Sequence, residues 1–272
     1  MKQAHIPAVS VIYYTYRPGS YDMLADTMKH QTADYELIVI DDCEQRDLVA
    51  VKEYLAGHGI HPSYLGPSKP KCFPELAYNF LNTLNTGILA SKGDILIFMQ
   101  DYTWLPPDAL NRFLARRAQL KEGYFISAVA RYWTQSPPMS TLDLTHPISI
   151  SDRPWEGPPL QNGWNSPNWW IPEVFELFYF AVAYDWLVKM NGFQECYDIA
   201  PTVRILDVME SIQNAGGKLL VDRDNICEMV DHRRWEPAYL WNSNVRFLPG
   251  ETRLTVRPNC FGLSKHKRGI VA

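Results

Sequence analysis

The feature that most constrains the fold of this chain is an alternation of apolar strands with helix-forming segments over its first 105 residues. Continuous apolar and β-branched runs predict buried strands at 9–15, 35–40 and 94–99, with a shorter strand at 60–65. Helical spacing between these runs predicts helices at 21–30, 46–56 and 74–90. This alternation indicates an α/β fold built on a parallel sheet with right-handed crossovers.

Polar residues follow three of the predicted strands. They are Thr15-Tyr16-Arg17, Asp41-Asp42 and Gln100-Asp101-Tyr102. Ligands of parallel sheets bind at the carboxyl ends of the strands, and these ends share one edge of the sheet. We therefore expect the three loops to converge on a common binding site.

The acidic residues of these loops allow a functional and a structural interpretation. A carboxylate of Asp41 or Asp42 can accept a hydrogen bond from a ribose hydroxyl or a base N–H, but aspartates are also common in turns. Asp101 can ligate a hard divalent ion that neutralises a diphosphate, or it can cap a turn. The residues alone leave both interpretations open.

Two further candidates for chemistry lie in the second half of the chain. Asp207, on a helix predicted at 200–215, is either a general base for an acceptor hydroxyl or an exposed carboxylate paired with Arg204. His232 is either a metal or phosphate ligand, or a histidine whose hydrogen bonds are satisfied in place.

Residues 133–172 show no clean period and are rich in Pro, Trp, Asn and Ser. Loops of this length in compact domains are usually functional. The rings of Trp164, Trp169 and Trp170 either stack on sugar rings or bases, or brace the loop itself. We expect this loop to act as a lid over an acceptor.

Composition limits the partners and the compartment. The net charge of −4 argues against a nucleic-acid-binding surface, and the basic cluster at 265–268 is typical of a solvated tail. Five cysteines lie far apart without a CxxC pair, which favours a reducing compartment and a cytoplasmic location. Residues 1–8 lack the apolar core of a signal peptide, and no apolar run reaches the roughly 18 residues of a membrane helix, so we expect no integral membrane segment.

Several motifs occur here in the order and spacing of one known family. They are VSVIYYTY at 9–16, Gln31-Thr32, ELIVIDD at 36–42, Asn85-Thr86-Gly87-Ile88, FMQDYTWLPPD at 98–108, and Asn191-Gly192-Phe193-Gln194-Glu195. Over about residues 8–235 the chain resembles the inverting GT-A glycosyltransferases of family 2. The resemblance implies a GT-A, Rossmann-like nucleotide-binding sheet with flanking helices, fused to a smaller acceptor-binding half.

The resemblance also implies roles for particular positions. The family's contacts with nucleobase and ribose correspond to Thr15, Tyr16, Asp41 and Asp42, and we add Arg17, Asn85 and Gln100 to the expected nucleotide-binding residues. Asp101 and His232 are the expected ligands of a divalent cation, Mn²⁺ or Mg²⁺, and Asp207 is the expected general base. We assign acceptor binding to Trp164, Trp169, Trp170 and Glu195.

The implied activity is inverting transfer of a hexosyl or pentosyl group from a nucleoside-diphosphate sugar to a hydroxyl. The acceptor is a glycan or another hydroxyl compound, and a modified nucleic-acid base stays open. We expect a nucleotide-sugar-binding half at 1–105, an acceptor-binding half at 106–235 and a C-terminal extension at 236–272.

Some positions depart from the family pattern. Gln100 and Tyr102 flank Asp101 where the metal motif usually has carboxylates, and Leu206 precedes Asp207 where Glu is frequent. Gln194 stands where Asp is usual. Two alternatives therefore stay open: a nucleotidyltransferase on a similar fold, and a catalytically inactive protein that binds nucleotides or glycans.

Overall fold

The computed structural model describes residues 9–17, 19–44, 46–68, 79–120, 123–133, 177–193, 195, 198 and 212–230. Its elements are β1 (Val9–Thr15), α1 (Tyr21–Lys29), β2 (Tyr35–Asp41), α2 (Leu48–Gly57), β3 (Tyr64–Gly66), α3 (Phe80–Ala90), β4 (Ile95–Gln100), β5 (Thr103–Trp104), α4 (Ala109–Gln119), β6 (Tyr124–Trp133), β7 (Tyr179–Ala183), α5 (Tyr184–Lys189) and β8 (Lys218–Val230).

An eight-stranded mixed sheet, in the order β3-β2-β1-β4-β7-β6-β8-β5, runs through the described part of the chain. Strand β1 pairs in parallel with β2 and β4, and β2 pairs in parallel with β3. Every residue of β1 is buried, as expected for a central strand that helices cover on both faces. These four strands confirm the predicted parallel α/β arrangement.

Beyond β4 the sheet changes direction. Strand β7 runs antiparallel to both β4 and β6, β8 runs parallel to β6, and β5 runs antiparallel to β8. The predicted parallel arrangement therefore does not extend to β7. In the parallel half, α1, α2 and α3 precede β2, β3 and β4 in turn, and each helix returns the chain to the edge at which the next parallel strand starts.

Alternate residues of the strands build two apolar layers, one on each face of the sheet. On one face, Val11 and Tyr13 of β1 belong to a core with α1 and α4 residues such as Leu24 and Phe113. On the other face, Ile12 belongs to a core with α3 and α5. The two-residue period of a strand puts these neighbours on opposite sides.

Most predicted elements are confirmed, with shifted ends. Helix α3 runs from Phe80 to Ala90, and residues 74–78 of the helix predicted at 74–90 lie outside the described residues. The sequence predicts a short strand at 218–221, and in the structure this strand, β8, continues to Val230. Sequence reasoning missed β5 and α5. Most of the helix predicted at 200–215 lies outside the described residues. In its described part, residues 212–214 are helical. None of the helices in the described part of the chain has both the length and the apolar character needed to cross a bilayer.

Candidate functional site

The carboxyl ends of β1, β2 and β4 meet at one edge of the sheet, and backbone hydrogen bonds join the residues that follow them. The Asp42 amide donates to the Thr15 carbonyl at 2.9 Å, and the Asp101 amide donates to the Tyr14 carbonyl at 3.0 Å. The predicted convergence of the three loops is therefore present in the structure.

Asp101 lies at the centre of this edge in a buried ion pair. Its carboxylate accepts hydrogen bonds from the Thr15 hydroxyl at 2.7 Å and from Arg17 Nε at 3.0 Å, and Arg17 Nη2 donates to the other carboxylate oxygen. The two side chains of the ion pair are 0% and 2% exposed. The Arg17 guanidinium also lies over the Tyr16 ring at 4.9 Å and the Tyr102 ring at 5.3 Å. A guanidinium held in this way carries its charge with little conformational freedom.

Asp41 is held by a second arginine. Its Oδ2 atom accepts from Arg46 Nε at 2.8 Å and from the Tyr21 hydroxyl at 2.8 Å, and its Oδ1 atom accepts from the Cys43 amide at 2.9 Å. Burial raises the pKa of Asp41, and the Cys43 hydrogen bond and Arg46 partly offset that effect. Arg46 Nη2 also donates to the Arg17 carbonyl at 2.6 Å, which joins the loops after β1 and β2.

Asp42 points instead towards the next elements of the sheet edge. Its carboxylate accepts from the Ser68 amide at 2.8 Å, from the Ser68 hydroxyl at 2.7 Å and from the Thr83 hydroxyl at 2.8 Å. Because α3 returns the chain from β3 to the parallel strand β4, the N-terminus of α3 lies at the same edge. Thr83, in the first turn of α3, thus connects that helix to Asp42.

The N-terminal turn of α3 is capped from elsewhere in the chain. Asp198 accepts from the Leu81 amide at 2.7 Å and from the Asn82 amide at 3.0 Å, which satisfies two of the amides that a helix leaves without partners. The pKa of Asp198 is raised to about 8, mainly by burial and to a lesser degree by the nearby Glu195 and Asp42, while the hydrogen bonds from the Leu81 and Asn82 amides oppose the shift.

Glu195 is fastened to the same helix by Asn85. The Asn85 amide donates to Glu195 Oε1 and to the Phe193 carbonyl, each at 2.8 Å, and it accepts from the Phe193 amide at 2.8 Å. Burial raises the pKa of Glu195 to about 7, with Asn85 and Asn82 opposing the shift. Two acids beside this sheet edge can therefore hold a proton near neutral pH.

The structure brings together many of the predicted site residues and leaves others untested. One contact group consists of Thr15, Tyr16, Arg17 and Asp101. The backbone N–H of Gln100 donates to the Phe178 carbonyl at 2.7 Å. Asn85 and Glu195 bond to each other, so their predicted contacts with nucleotide and acceptor stay predictions. The general base Asp207, the metal ligand His232 and the acceptor residues Trp164, Trp169 and Trp170 lie outside the described residues.

Sequence reasoning missed five residues that complete the site. They are Tyr21, Arg46, Ser68, Thr83 and Asp198. Each bonds to a partner at least five positions away, and no local pattern marks such a residue. Only Arg46 had a signal that could have been used, because it lies shortly after Asp41-Asp42 at the start of a predicted helix.

The described residues do not by themselves form a metal site. No group of three His, Cys, Asp or Glu side chains comes together among them with the spacing of a metal site. Asp101 is the only acidic residue of the 100–102 segment, and its carboxylate already accepts hydrogen bonds from Arg17 and Thr15. A cation at this edge would need further ligands from the diphosphate or from residues such as His232.

No protein-family model matches the chain, and no curated protein matches its sequence. Solved structures do share its fold. The mannosyltransferase PcManGT from Pyrobaculum calidifontis, in complex with GDP-Man and Mn²⁺, has a TM-score of 0.54 and 16% identity over 87% of this chain and 60% of its own. S. aureus TarS 1-349 has a TM-score of 0.55 and 13% identity over 84% of this chain and 61% of its own.

A third solved structure matches over nearly its whole length. Glucosyl-3-phosphoglycerate synthase from Mycobacterium tuberculosis, in complex with Mn²⁺, UDP and phosphoglyceric acid, has a TM-score of 0.50 and 14% identity over 93% of this chain and 90% of its own. The chain spans only 60% and 61% of the two chains named first. The shared fold is that of the GT-A glycosyltransferases, which confirms the predicted fold class.

Proposed function

We propose that this protein transfers a sugar from a nucleoside-diphosphate sugar to an acceptor hydroxyl. The observation that carries the proposal is the position of the Arg17–Asp101 pair and of Asp41 at the carboxyl edge of a GT-A sheet, where such sheets bind nucleotides. The neighbouring enzymes support it, because their structures hold GDP-Man in one case and UDP in another.

The donor end of the site is built from the loops after β1, β2 and β4. Asp41 Oδ1 accepts one hydrogen bond among the described residues, from Cys43, so this oxygen retains acceptor capacity for a donor group of the nucleotide. Arg17 and Arg46 are each paired with an aspartate, Asp101 and Asp41, so a diphosphate at this edge would need a cation as its counter-charge.

A divalent cation, Mn²⁺ or Mg²⁺, is part of the proposal, and two of the neighbouring structures were solved with Mn²⁺. Such a cation neutralises the charge that develops on a departing diphosphate. Asp101 and His232 remain the predicted protein ligands. Asp101 Oδ2 accepts from both Thr15 and Arg17 Nε, and Oδ1, which accepts from Arg17 Nη2, is the oxygen that would hold a cation.

The proposed reaction is a single displacement with inversion. The acceptor oxygen forms a bond to the anomeric carbon from the face opposite the diphosphate, and the bond from that carbon to the diphosphate oxygen breaks. The nucleoside diphosphate leaves with the electron pair, and Asp207 takes the proton of the acceptor hydroxyl. Asp207 is assigned from the resemblance alone.

A thermal-shift screen tests the donor half of the proposal. Nucleoside diphosphates and their sugars are added one at a time, with and without Mn²⁺, and unfolding is followed. A ligand present at 100 times its Kd stabilises the folded state by about 2.7 kcal/mol. Stabilisation by one nucleobase class identifies the donor, and no stabilisation by any of them would remove the proposal.

Product analysis then separates the two alternatives. Release of a nucleoside diphosphate from the donor that binds supports glycosyl transfer. Formation of a sugar nucleotide from a nucleoside triphosphate and a sugar phosphate would instead show a nucleotidyltransferase. Tight nucleotide binding with neither product, in the presence of Mn²⁺, would show a binding protein.

The Asp207→Asn variant tests the catalytic half. Loss of a general base costs roughly 10²- to 10⁴-fold in rate, so transfer should fall by that factor while the Kd for the nucleoside diphosphate stays unchanged. The exposed residue Asp94 offers a matched control, because Asp94→Asn removes the same charge and should leave both quantities unchanged. Turnover of Asp207→Asn near that of the wild type would discard the assignment.

A further inference from the structure

Arg46 connects three separate segments at the edge of the sheet. Its Nε donates to Asp41 Oδ2 at 2.8 Å, and its Nη2 donates to the Arg17 carbonyl at 2.6 Å. Its guanidinium lies over the Tyr21 ring, 4.9 Å from the ring centre. The side chain is 14% exposed, and the Asp41 side chain that it holds is fully buried.

The shape of the guanidinium makes this connection specific. Its N–H donors lie in one plane at fixed angles, so two hydrogen bonds to different loops also fix the distance between those loops. The ammonium group of a lysine is a point charge on a flexible stem, and it cannot hold the carboxylate of Asp41 and the carbonyl of Arg17 in the same way.

The orientation of Asp41 depends on these contacts. Arg46 and Tyr21 both bond to Oδ2, which leaves Oδ1 with the Cys43 amide as its only described partner. If Arg46 is absent, the carboxylate loses the charged partner that selects this orientation. The Arg17 carbonyl loses its donor from Arg46 at the same time and keeps the longer contact with the Thr15 hydroxyl at 3.2 Å, and Arg17 also bonds to Asp101.

We propose that Arg46 is a positioning residue of the nucleotide site, which acts by holding the Asp41 carboxylate and the backbone after β1 in the arrangement that meets a nucleoside diphosphate. This inference rests on the proposed function, and it assigns the role to a residue that the sequence motifs do not mark.

Binding of UDP and GDP, measured by isothermal titration calorimetry, tests the inference with three variants. Loss of a charge-assisted contact corresponds to roughly a 10- to 100-fold increase in Kd, which we expect for Arg46→Met with the tighter of the two nucleotides. Arg46→Lys should recover only part of the affinity. Arg116→Met is the matched control, since Arg116 also bonds to a buried aspartate, Asp222, at 2.9 Å, between α4 and β8. It should lower the Tm and leave the Kd unchanged.

A double-mutant cycle with Asp41→Asn separates positioning from a merely structural role. Because Arg46 acts in part through Asp41, the two substitutions should be non-additive: the double variant should bind the nucleotide more tightly than the product of the two single effects requires. If the effects of the two substitutions on Kd multiply, or if Arg46→Met binds with wild-type affinity, the inference about Arg46 is wrong while the proposed function still stands. If the wild type binds neither these nor other nucleoside diphosphates, the proposed function fails as well. Should Arg46→Met be unfolded by circular dichroism, the cycle is run with Arg46→Lys.

Discussion

The ion pair between Arg17 and Asp101 is the most deeply buried charged contact described at the sheet edge. Replacing one partner of such a pair leaves the other charge uncompensated in the interior, which costs about 3–5 kcal/mol. We therefore expect Asp101→Asn to lower the free energy of unfolding by that amount, because Arg17 is only 2% exposed. Urea unfolding monitored by tryptophan fluorescence measures the change.

The exposed Asp94 again serves as a control, since surface substitutions usually change stability by at most about 0.5 kcal/mol. The double variant Arg17→Met with Asp101→Leu should regain much of the loss, because no unpaired charge remains. Equal stability of Asp101→Asn and Asp94→Asn would contradict this account of the pair.

At the residue scale, the sequence predicted where the acidic groups lie but not what they bond to. Asp41, Asp42 and Asp101 could be placed at the sheet edge because each follows an apolar run that has the length of a strand. Their partners could not be predicted in the same way. Thr83, for example, bonds to Asp42 across 41 positions, and periodicity carries no information about such distant pairs.

At the element scale, the packing of α3 on β1 depends on Gly87. A Cβ atom at this position would lie 2.3 Å from Cγ2 of Ile12, which is fully buried. We expect Gly87→Ala to push the helix away from the sheet and to destabilise the protein by about 1–3 kcal/mol. Thermal unfolding followed by circular dichroism checks the prediction.

Gly57, at the end of α2, is the matched control, because nothing lies within 4 Å of the Cβ that a substitution would add. Alanine there should be neutral or stabilise the protein by up to about 1 kcal/mol, since glycine loses more conformational entropy on folding. The prediction for Gly87 is wrong if both variants unfold at the same temperature.

The turn that bonds to α3 should make the stability of the protein depend on pH. The pKa values of Glu195 and Asp198 are raised to about 7 and about 8, from ordinary values of 4.5 and 3.8. The folded state therefore keeps protons that the unfolded state has already released. The stability linked to these groups is present below about pH 4 and is lost as the pH rises through 7 and 8.

We expect Glu195→Gln to flatten this dependence, because glutamine keeps an oxygen that can accept from Asn85 and has no proton to release. The measurement is the difference in Tm between wild type and variant from pH 5 to pH 8.5. That difference should move in favour of the variant as the pH rises. A constant difference over this range would show that Glu195 does not titrate there.

The strongly periodic elements of the parallel half were predictable, and the short ones were not. Strand β1 was predicted at its observed limits because all seven residues are apolar or small and are buried between two helical layers. The two residues of β5 and the six of α5 are too few to show a period. The extension of β8 to Val230 depends on pairing with β6 and β5, which is a tertiary effect.

At the scale of the whole molecule, the sheet combines parallel and antiparallel strand pairs, and the sequence predicts the parallel pairs better than the antiparallel ones. Parallel strands need crossover connections, usually helices, and the alternation of strands with helices predicts this arrangement from the sequence. The antiparallel strand β7 pairs with both β4 and β6, and only the three-dimensional structure shows it. The proposed boundary at residue 105 therefore lies within a continuous sheet. It stays a prediction about which half binds the donor and which the acceptor, and it does not describe two separately folding units.

The proposed acceptor lid at 133–172 can be tested through its three tryptophans. Trp164, Trp169 and Trp170 are expected to cover the bound acceptor and to exclude water, which otherwise competes for the donor. Replacing all three by Ala should lower the rate of transfer to the acceptor and raise the share of donor that is hydrolysed. The Kd of the donor should change by less than about twofold, because the donor contacts proposed above lie on the loops after β1, β2 and β4.

Tyr54→Ala, which removes an aromatic ring that is 41% exposed on α2, should change none of these quantities. Parallel loss of donor affinity and acceptor use in the triple variant would show that these tryptophans support the fold or the donor, and not the acceptor.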